Sequence, residues 1–372
     1  MKYHIALSRP FDLEQFHKNA QAGTSPRHTM WELSQILQAT VHQPELERVK
    51  PIDRLTAKLI SQPQHWALSR LLSQQLDSDN TVFCTGEDIG IPLAILNRFN
   101  RNRCKLAMQV MEPSRIRVKN TIQNLGLAQS IDLFLTNTQA KAETLCRKLH
   151  VPDRQVFVLR EQTDVQFFYP GAAVEKSRPI IACTGFEQRD YKTLAAATQN
   201  LDLDVKICAV SPNASKKTRV AFPDVMPSNM TPHPQEWQQF RQLYRNADIV
   251  VVSLLYNTYS AGLTSLMEAM ACRRPVVITR TPGLASRLID AGIVIGVAPE
   301  DAAGMQQAIL RLLNNPEQAE TLAQAGYDFL LKNHTSEQYM QDLVDQLQQL
   351  AATSEVSTAP AAFSPNQAIA PP

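Results

Sequence analysis

Short apolar runs alternate with amphipathic helical patterns along almost the whole of this 372-residue chain. Each run has the length of a strand that is buried on both faces, and the segments between the runs have helical periodicity. The strand candidates are residues 3–8, 81–85, 105–111, 131–136, 155–159, 179–184, 204–210, 248–254, 275–279 and 292–297. This alternation predicts an α/β fold in which mainly parallel, doubly wound sheets are covered by helices on both faces.

The chain is too long for one ordinary hydrophobic core, so we expect two Rossmann-like domains. A polar, irregular stretch at 160–178 contains Pro170 and Gly171 and interrupts the alternation. We therefore predict a first domain over 1–170 and a second over 171–335. An amphipathic helix at 336–350, with its apolar face formed by Met340, Leu343, Val344 and Leu347, follows the second domain, and the Ala/Pro/Ser-rich tail 351–372 is predicted to be disordered.

The composition excludes several classes of protein. A content of 44% hydrophobic and 19% charged residues is typical of a soluble globular protein, and a net charge of +2 argues against bulk nucleic-acid binding. No run approaches the length of a membrane span, and the first residues read as a strand rather than a signal peptide. Six scattered cysteines without a C-x-x-C pair favour reduced thiols and a cytoplasmic location.

Peripheral contact with the inner face of a membrane stays open. A basic cluster could touch anionic lipid headgroups, although a solvated helix end is the commoner explanation of such a cluster. Its members are Arg98, Arg101, Arg103 and Lys105.

The loop after the 179–184 strand is suited to an anionic ligand. Gly185 permits a tight turn, and Arg189 and Lys192 stand close to the entrance of the next helix. Arginine makes bidentate contacts with phosphate, whereas lysine acts as a mobile point charge. The alternative is a solvated loop in which these cations pair with Glu187 and Asp190.

The stretch AGLTSLMEAMACRRPVV at 261–277 combines two patterns on one helix. Its buried face is formed by Leu263, Leu266, Met267 and Met270. On another face, near the helix start, lie Gly262, Thr264, Ser265 and Glu268. The N–H groups of Leu263 and Thr264 can receive a phosphate, and the two oxygens of an ionised Glu268 match a vicinal diol such as that of ribose. The alternative is that Glu268 only improves the electrostatics of the helix.

Loops in the first half supply weaker candidates for the side that binds the acceptor or the sugar. They follow predicted strands or begin predicted helices, and they contain Arg27, His28, Glu87 and Glu112. A single charged residue at a helix start more often caps the helix or is solvated. No histidine, cysteine or aspartate spacing favours a metal site, and neither a G-x-S-x-G turn nor a phosphate-binding P-loop is present.

Three segments resemble the retaining GT-B glycosyltransferases of family 4. Residues 248–279 are similar to the donor-binding segment, which typically contains "LEAMACGxPVV". Residues 131–170, with Asp164, Phe168 and Pro170, resemble the end of the family's N-terminal domain, and the loop 185–192 resembles its phosphate-binding loop. The resemblance extends over about residues 80–350.

The resemblance implies two domains that face a cleft, with the nucleotide-diphosphate sugar on the second domain and the acceptor on the first. The helix 336–350 would then cross back to the first domain. Arg189 and Lys192 would hold the diphosphate, Glu268 the ribose, and Gly185, Ser260, Gly262, Leu263 and Thr264 would surround the donor. The reaction would use no metal or other cofactor, the donor would be linked to UDP or GDP, and the acceptor would be a glycan, a lipid or a small molecule.

Two residues depart from the family pattern beside the same helix. Ser260 stands where the family usually has a second glutamate, eight residues before Glu268, and Arg273 stands where it has glycine. Arginine there would cost about 1 kcal/mol relative to glycine if the backbone is left-handed. These departures keep two alternatives open, a non-catalytic GT-B scaffold and a sugar-nucleotide epimerase.

Overall fold

The computed structural model describes residues 2–209, 220–257 and 261–353. The chain forms two compact units. Of the described residues, the first unit contains 2–17, 28–160 and 339–353. The second unit contains residues 18–27 and 161–338. Each unit is built around its own sheet.

The first unit contains a six-stranded sheet in which every pair of neighbouring strands is parallel. The strand order is β2-β1-β3-β4-β5-β6. The strands are β1 (Lys2–Ala6), β2 (Thr40–His42), β3 (Asn80–Cys84), β4 (Lys105–Gln109), β5 (Leu133–Thr136) and β6 (Val156–Val158). The strand order reverses between β1 and β3, so the loops that follow these two strands leave the sheet in opposite directions.

Both faces of this sheet are covered, because alternate residues of a strand point to opposite sides. In β3, Val82 and Cys84 join one apolar cluster and Phe83 joins another. The helices of this part of the chain are α1 (Leu13–Gln21), α2 (Thr29–Leu37), α3 (Pro51–Thr56), α4 (Pro63–Gln75), α5 (Glu87–Asn97), α6 (Ile116–Asn124) and α7 (Gln139–Glu143).

The second unit repeats the plan with a different strand order, β12-β11-β10-β7-β8-β9, and again all pairs are parallel. Its strands are β7 (Ile180–Thr184), β8 (Asp204–Cys208), β9 (Met230–Pro232), β10 (Ile249–Val252), β11 (Val276–Thr279) and β12 (Ile295–Val297). Its helices are α8 (Tyr191–Thr198), α9 (Trp237–Asn246), α10 (Leu263–Ala271), α11 (Leu284–Asp290), α12 (Ala302–Leu313) and α13 (Pro316–Asn333). This strand order is that of a dinucleotide-binding fold, and it reverses between β7 and β10.

The last helix, α14 (Ser336–Ala352), packs its predicted apolar face into the core of the first unit. Leu343 and Leu347 are buried in the cluster that contains Ile5, Leu33 and Phe83. The residues of α14 from Tyr339 therefore belong to the first unit. Residues 354–372, most of the predicted disordered tail, lie outside the described residues.

The units divide between Arg160 and Glu161, earlier than the predicted boundary at 170. Phe167 and Phe168 explain the difference, because both are buried in an apolar cluster with Leu243 and Tyr244 of α9. The irregular backbone of this stretch suggested a linker, but its aromatic side chains belong to the second core.

Arg27 ties the short segment 18–27 to the second unit. Its main-chain N–H donates to Asp164 Oδ2 at 2.8 Å, and its Nη2 donates to Asp164 Oδ1 at 2.7 Å and to Glu337 Oε1 at 2.6 Å. Asp164 is buried, with 5% of its side chain exposed. A buried carboxylate requires such a partner, since its desolvation is otherwise uncompensated.

We predict that Arg27→Ala destabilises the second domain by about 3 kcal/mol, because it leaves the buried Asp164 without the guanidinium that neutralises its charge. Denaturant unfolding of the two proteins measures the difference. Arg178→Ala is the matched control: Arg178 is 43% exposed, and its pairs with Asp202 and Asp204 lie at the surface. The control should lose less than about 1 kcal/mol. Equal losses of stability in the two variants would contradict the conclusion that Arg27 compensates a buried charge on Asp164.

Candidate functional site

The loops after β7 and β10 meet at the point where the strand order of the second sheet reverses. The Asp190 N–H donates to the Ser253 carbonyl at 3.1 Å, and Ser253 Oγ donates to the Asp190 carbonyl at 2.7 Å. The Leu255 N–H donates to the Gln188 carbonyl at 2.8 Å. Open parallel sheets bind ligands at this position, beyond the carboxyl ends of the strands.

Arg189 is buried in the loop after β7 and is held by neutral acceptors. Its Nε donates to the Thr184 carbonyl at 2.7 Å, Nη1 to the Glu187 carbonyl at 2.9 Å and Nη2 to Ser265 Oγ at 2.8 Å. No carboxylate among the described residues pairs with it. A guanidinium has five N–H donors, so two remain for a ligand. The positive charge is fixed in place and unneutralised.

Gly185 makes room for this guanidinium. Its φ of +91° lies in the region that favours glycine, and a Cβ there would lie 2.3 Å from Arg189 Nη2. The hydroxyl of Tyr191 donates to the Gly185 carbonyl and so holds the turn from the other side. The glycine thus serves both the turn, as predicted, and the close approach of Arg189.

Lys192 is exposed in the first turn of α8, and its ammonium has no partner among the described residues. Asp190 is occupied as the cap of this helix, since its Oδ1 accepts the Thr193 N–H at 2.9 Å. The side chains of Glu187 and Asp190 therefore form no ion pair with Arg189 or Lys192 in the described chain. The alternative of a self-paired, solvated loop does not fit this geometry.

Glu268 lies on α10, and its carboxylate is hydrogen-bonded to a buried pair of hydroxyl groups, those of Tyr244 and Thr184. Its Oε2 accepts a hydrogen bond from the Tyr244 hydroxyl at 2.6 Å, and that hydroxyl lies 2.8 Å from Thr184 Oγ1. Glu268 is only 7% exposed, and Tyr244 and Thr184 are more deeply buried. Glu268 Oε1 has no hydrogen-bond partner among the described residues. One carboxylate oxygen is thus anchored and the other is available.

Burial determines the ionisation of this carboxyl group. It raises the pKa of Glu268 to about 7, while the hydrogen bond from Tyr244 and the charge of Arg189 act in the opposite direction. Burial also raises the pKa of Tyr244 well above its usual value, so the phenol stays protonated. Glu268 therefore changes its charge near neutral pH.

The start of α10 presents main-chain N–H donors beside these groups. Gly262 precedes the helix with a φ of +86°, and no side chain of the described residues caps it. A Cβ at Gly262 would lie 2.7 Å from Val252 Cγ1, so the helix approaches β10 closely. The N–H groups of Leu263 and Thr264 have no acceptor among the described residues, and Thr264 is exposed. Such a helix start attracts phosphate.

Of the two departures from the family pattern, Arg273 lies within the described residues. Ser260 lies outside the described residues. Arg273 lies beyond the opposite end of α10, where its φ of +54° is left-handed and its side chain pairs with Glu320 of α13. The backbone at Arg273 is thus left-handed, which is the case in which arginine costs more than glycine, and the departure at Arg273 concerns the C-terminal end of α10.

The candidates of the first half have structural partners. His28 caps α2 by accepting the Met30 N–H at 3.3 Å, and burial lowers its pKa. Glu87 is buried at the start of α5 and accepts the N–H groups of Met111 at 3.0 Å and of Glu112 at 3.3 Å.

Glu87 and Glu112 thus lie together beyond β3 and β4, where burial raises the pKa of Glu87. Glu112 itself is half-buried and accepts a hydrogen bond from Ser114. Arg27 is occupied by Asp164 and Glu337.

Two members of the basic cluster are also occupied. Arg103 pairs with Asp132 at 2.6 Å, and the Lys105 ammonium donates to the carbonyls of Ala351 and Thr353. Within the described chain, no helix is both long and apolar enough to cross a membrane. The same residues contain no group of three or more histidine, cysteine, aspartate or glutamate side chains that could hold a metal ion.

Sequence reasoning missed Tyr244, Thr184 and Ser265 as members of this site. The sequence analysis placed Ser265 on the same helix face as Glu268, but its contact with Arg189 could not be inferred. Tyr244 resembles any other aromatic residue of an amphipathic helix, and only the fold brings its hydroxyl to Glu268.

Comparison with known proteins gives one family match and many structural matches. Residues 181–315 match the model of the glycosyl transferases group 1 family. No curated protein matches the chain significantly. Sucrose-phosphate synthase from Thermosynechococcus elongatus is similar in structure, with a TM-score of 0.66 and 16% identity over 95% of this chain and 100% of that protein.

Two further structures show the same similarity. Anabaena HepE in complex with UDP-glucose has a TM-score of 0.64 and 12% identity, over 94% of this chain and 100% of that one. A trehalose-6-phosphate synthase, studied for glycosyl transfer with retention, has a TM-score of 0.60 and 11% identity over 94% and 99%. These findings confirm the predicted GT-B fold and the resemblance to glycosyltransferases.

We predict that Glu268→Gln removes a pH dependence of stability. Because the folded pKa is raised, the folded protein binds more protons than the unfolded chain between about pH 4.5 and 7. Stability therefore falls as pH rises through this window, by up to about 3 kcal/mol from this group. Denaturant unfolding at pH 5 and pH 8 should show a smaller difference for the glutamine variant. Identical pH dependence in both proteins would refute a buried, titrating Glu268.

We also predict that Gly185→Ala destabilises the protein by more than backbone strain alone, because the new Cβ meets Arg189. Gly292→Ala is the control: its φ of +70° is also left-handed, but a Cβ there has nothing within 4 Å. The control should lose about 1 kcal/mol in denaturant unfolding. Equal losses would show that Gly185 serves only the turn.

Proposed function

We propose that this protein transfers a sugar from a nucleotide-diphosphate sugar to an acceptor, with retention of configuration and without a metal ion. One observation carries the proposal. Within the described residues, three groups lie at the same edge of the second sheet, around the ends of β7 and β10: a fixed guanidinium that pairs with no carboxylate, a helix start that no side chain caps, and a carboxylate with one oxygen that accepts no hydrogen bond.

The phosphate groups of the donor find two kinds of partner there. Arg189 keeps two N–H donors, and the start of α10 adds the N–H groups of Leu263 and Thr264. Lys192 supplies a mobile charge from the first turn of α8. Donors fixed before the reaction stabilise the negative charge that develops on a leaving diphosphate, and such electrostatic stabilisation often contributes more to catalysis than any other effect. Arg189 and Lys192 are therefore our proposed catalytic residues.

The nucleoside part of the donor is assigned to Glu268. Its free oxygen accepts hydrogen bonds from the ribose hydroxyls, and Gly185, Gly262 and Ser260 stay assigned to the surroundings of the donor. HepE binds UDP-glucose, which makes UDP-glucose the first donor to test, with GDP-linked sugars next. Retention is proposed by similarity to the trehalose-6-phosphate synthase.

The acceptor is proposed to be a glycan, a lipid or a small molecule that binds the first domain. His28, Glu87 and Glu112 stay our candidates for that side, and Glu112 has the fewest structural commitments among them. Arg27, predicted for the same side, belongs to the second unit and is held there by Asp164 and Glu337. The six free cysteines favour a reducing compartment, so we place the protein in the cytoplasm.

We predict that UDP or GDP raises the melting temperature of the protein and that Arg189→Ala weakens the binding at least 10-fold. Lys192→Ala should leave the fold intact, because Lys192 is exposed. It should lower the rate of sugar transfer by a larger factor than it lowers the affinity for the nucleotide. Calorimetry and hydrolysis of UDP-glucose measure both effects, and Arg178→Ala serves as the control for loss of a charge.

The outcome separates the alternatives. No thermal shift with any nucleotide would refute the donor site. Nucleotide binding without turnover over a broad panel of donors and acceptors would indicate a non-catalytic GT-B protein, and conversion of the free nucleotide sugar without an acceptor would indicate an epimerase.

A further inference from the structure

We infer that Tyr244 and Thr184 are positioning residues of the donor site, which hold Glu268 so that one carboxylate oxygen faces the ribose diol. The inference rests on the proposed function, because it concerns the same nucleotide. Neither residue is assigned a contact with the donor. Their role is to fix the carboxylate that makes that contact.

The three groups form a chain with a defined direction. A phenol has one hydrogen, and the Tyr244 hydroxyl donates it to Glu268 Oε2 at 2.6 Å. Thr184 Oγ1, at 2.8 Å, must then donate to the Tyr244 oxygen. All three side chains are buried, so water does not readily replace either bond. The anchored oxygen is thereby fixed as Oε2, and Oε1 stays free.

The hydroxyl of Tyr244 is not needed for packing. The ring lies in an aromatic cluster, 5.2 Å from Phe240 and 6.0 Å from Phe168, and these neighbours have no polar group. Phenylalanine would fill the same space at position 244. A buried hydroxyl requires a hydrogen-bond partner, and here both of its partners belong to the chain that ends at Glu268.

Thr184 connects this chain to the phosphate side of the site. Its carbonyl accepts Arg189 Nε at 2.7 Å and Ser265 Oγ at 3.3 Å, while its hydroxyl holds Tyr244. The proposed ribose and phosphate contacts therefore depend on the same strand-end residue. Thr184→Val removes only the hydroxyl, so it separates the two functions: the carbonyl, and with it the position of Arg189, should be retained.

The chain also predicts how donor binding depends on pH. The diol binds the ionised carboxylate, so affinity should rise as pH rises through about 7. The ionisable groups that act on Glu268 are Arg189, Tyr244, Cys208 and Cys272. Burial raises the pKa of both thiols and of the phenol, so these three groups stay neutral in this range.

The test compares UDP with 2′,3′-dideoxy-UDP, which lacks the diol, by calorimetry on the full chain from pH 6 to 9. Tyr244→Phe should bind UDP about 10-fold more weakly and should shift the pH midpoint upward, since it removes a bond that favours the ionised form. Its affinity for the dideoxy nucleotide should be unchanged. Thr184→Val should change binding in the same direction, and Thr184→Ser should restore it.

Two controls keep the result interpretable. Tyr327→Phe, on α13, removes a tyrosine hydroxyl outside this chain and should change nothing. In a Glu268→Gln background, Tyr244→Phe should have little further effect on UDP binding, because its target is gone. Circular dichroism and melting temperature verify that each variant is folded.

Other outcomes overturn the inference. Unchanged UDP affinity and pH midpoint in Tyr244→Phe would show that Glu268 needs no anchor. Equal weakening of UDP and of the dideoxy nucleotide would show a general structural role. If the unmodified protein binds neither UDP nor GDP, the proposed function fails and this inference fails with it.

Discussion

The rest of the site depends on the hydrogen bonds that satisfy the carbonyl and the hydroxyl of Thr184. Its carbonyl and hydroxyl are both buried at the end of β7, and buried polar groups must find partners within the protein. The carbonyl is satisfied by Arg189 and Ser265, and the hydroxyl by Tyr244. A buried cation and a buried carboxylate are thereby held in one network, although they make no direct ion pair. Each leaves unused hydrogen-bonding capacity for a ligand.

The topology of the second sheet explains why the network forms at this place. Parallel strands bring all their carboxyl ends to one edge, and the reversal of strand order between β7 and β10 leaves space between the following loops. Apolar runs in the sequence predicted the central strands, which are buried on both faces, and also the apolar edge strands β6 and β12. They did not predict β2 (Thr40–His42) or β9 (Met230–Pro232), which are short edge strands with polar residues. Strands of this kind form through hydrogen bonds to a neighbouring strand, here β1 for β2 and β8 for β9, and their own sequences contain no apolar run that predicts them.

Sequence reasoning proposes site residues where the information is local. Gly185, Arg189 and Glu268 stand out because a strand end, a glycine and a helix start lie within a few residues of one another. Tyr244 is 24 residues from Glu268 and 60 from Thr184, so no spacing rule connects them. Arg27 shows the same limit: its position suggested a helix entrance, whereas its partner Asp164 lies 137 residues away. Long-range hydrogen bonds become visible only in the fold.

The buried environment of Glu268 suits the binding of a ligand, but it costs the folded protein stability because it desolvates the carboxylate. A leucine or glutamine at this position would avoid the desolvation that raises the pKa of the carboxyl to about 7. The anchoring bond from Tyr244 offsets part of this penalty and leaves the rest. Strongly shifted carboxyl groups with one unused oxygen are typical of functional sites, where a ligand supplies the missing hydrogen bonds. The second oxygen of Glu268, which accepts no hydrogen bond from the described residues, is thus the structural reason to place the diol of the proposed donor here. The adjacent Arg189, which pairs with no carboxylate of the described residues, is the reason to place the phosphates of that donor beside it.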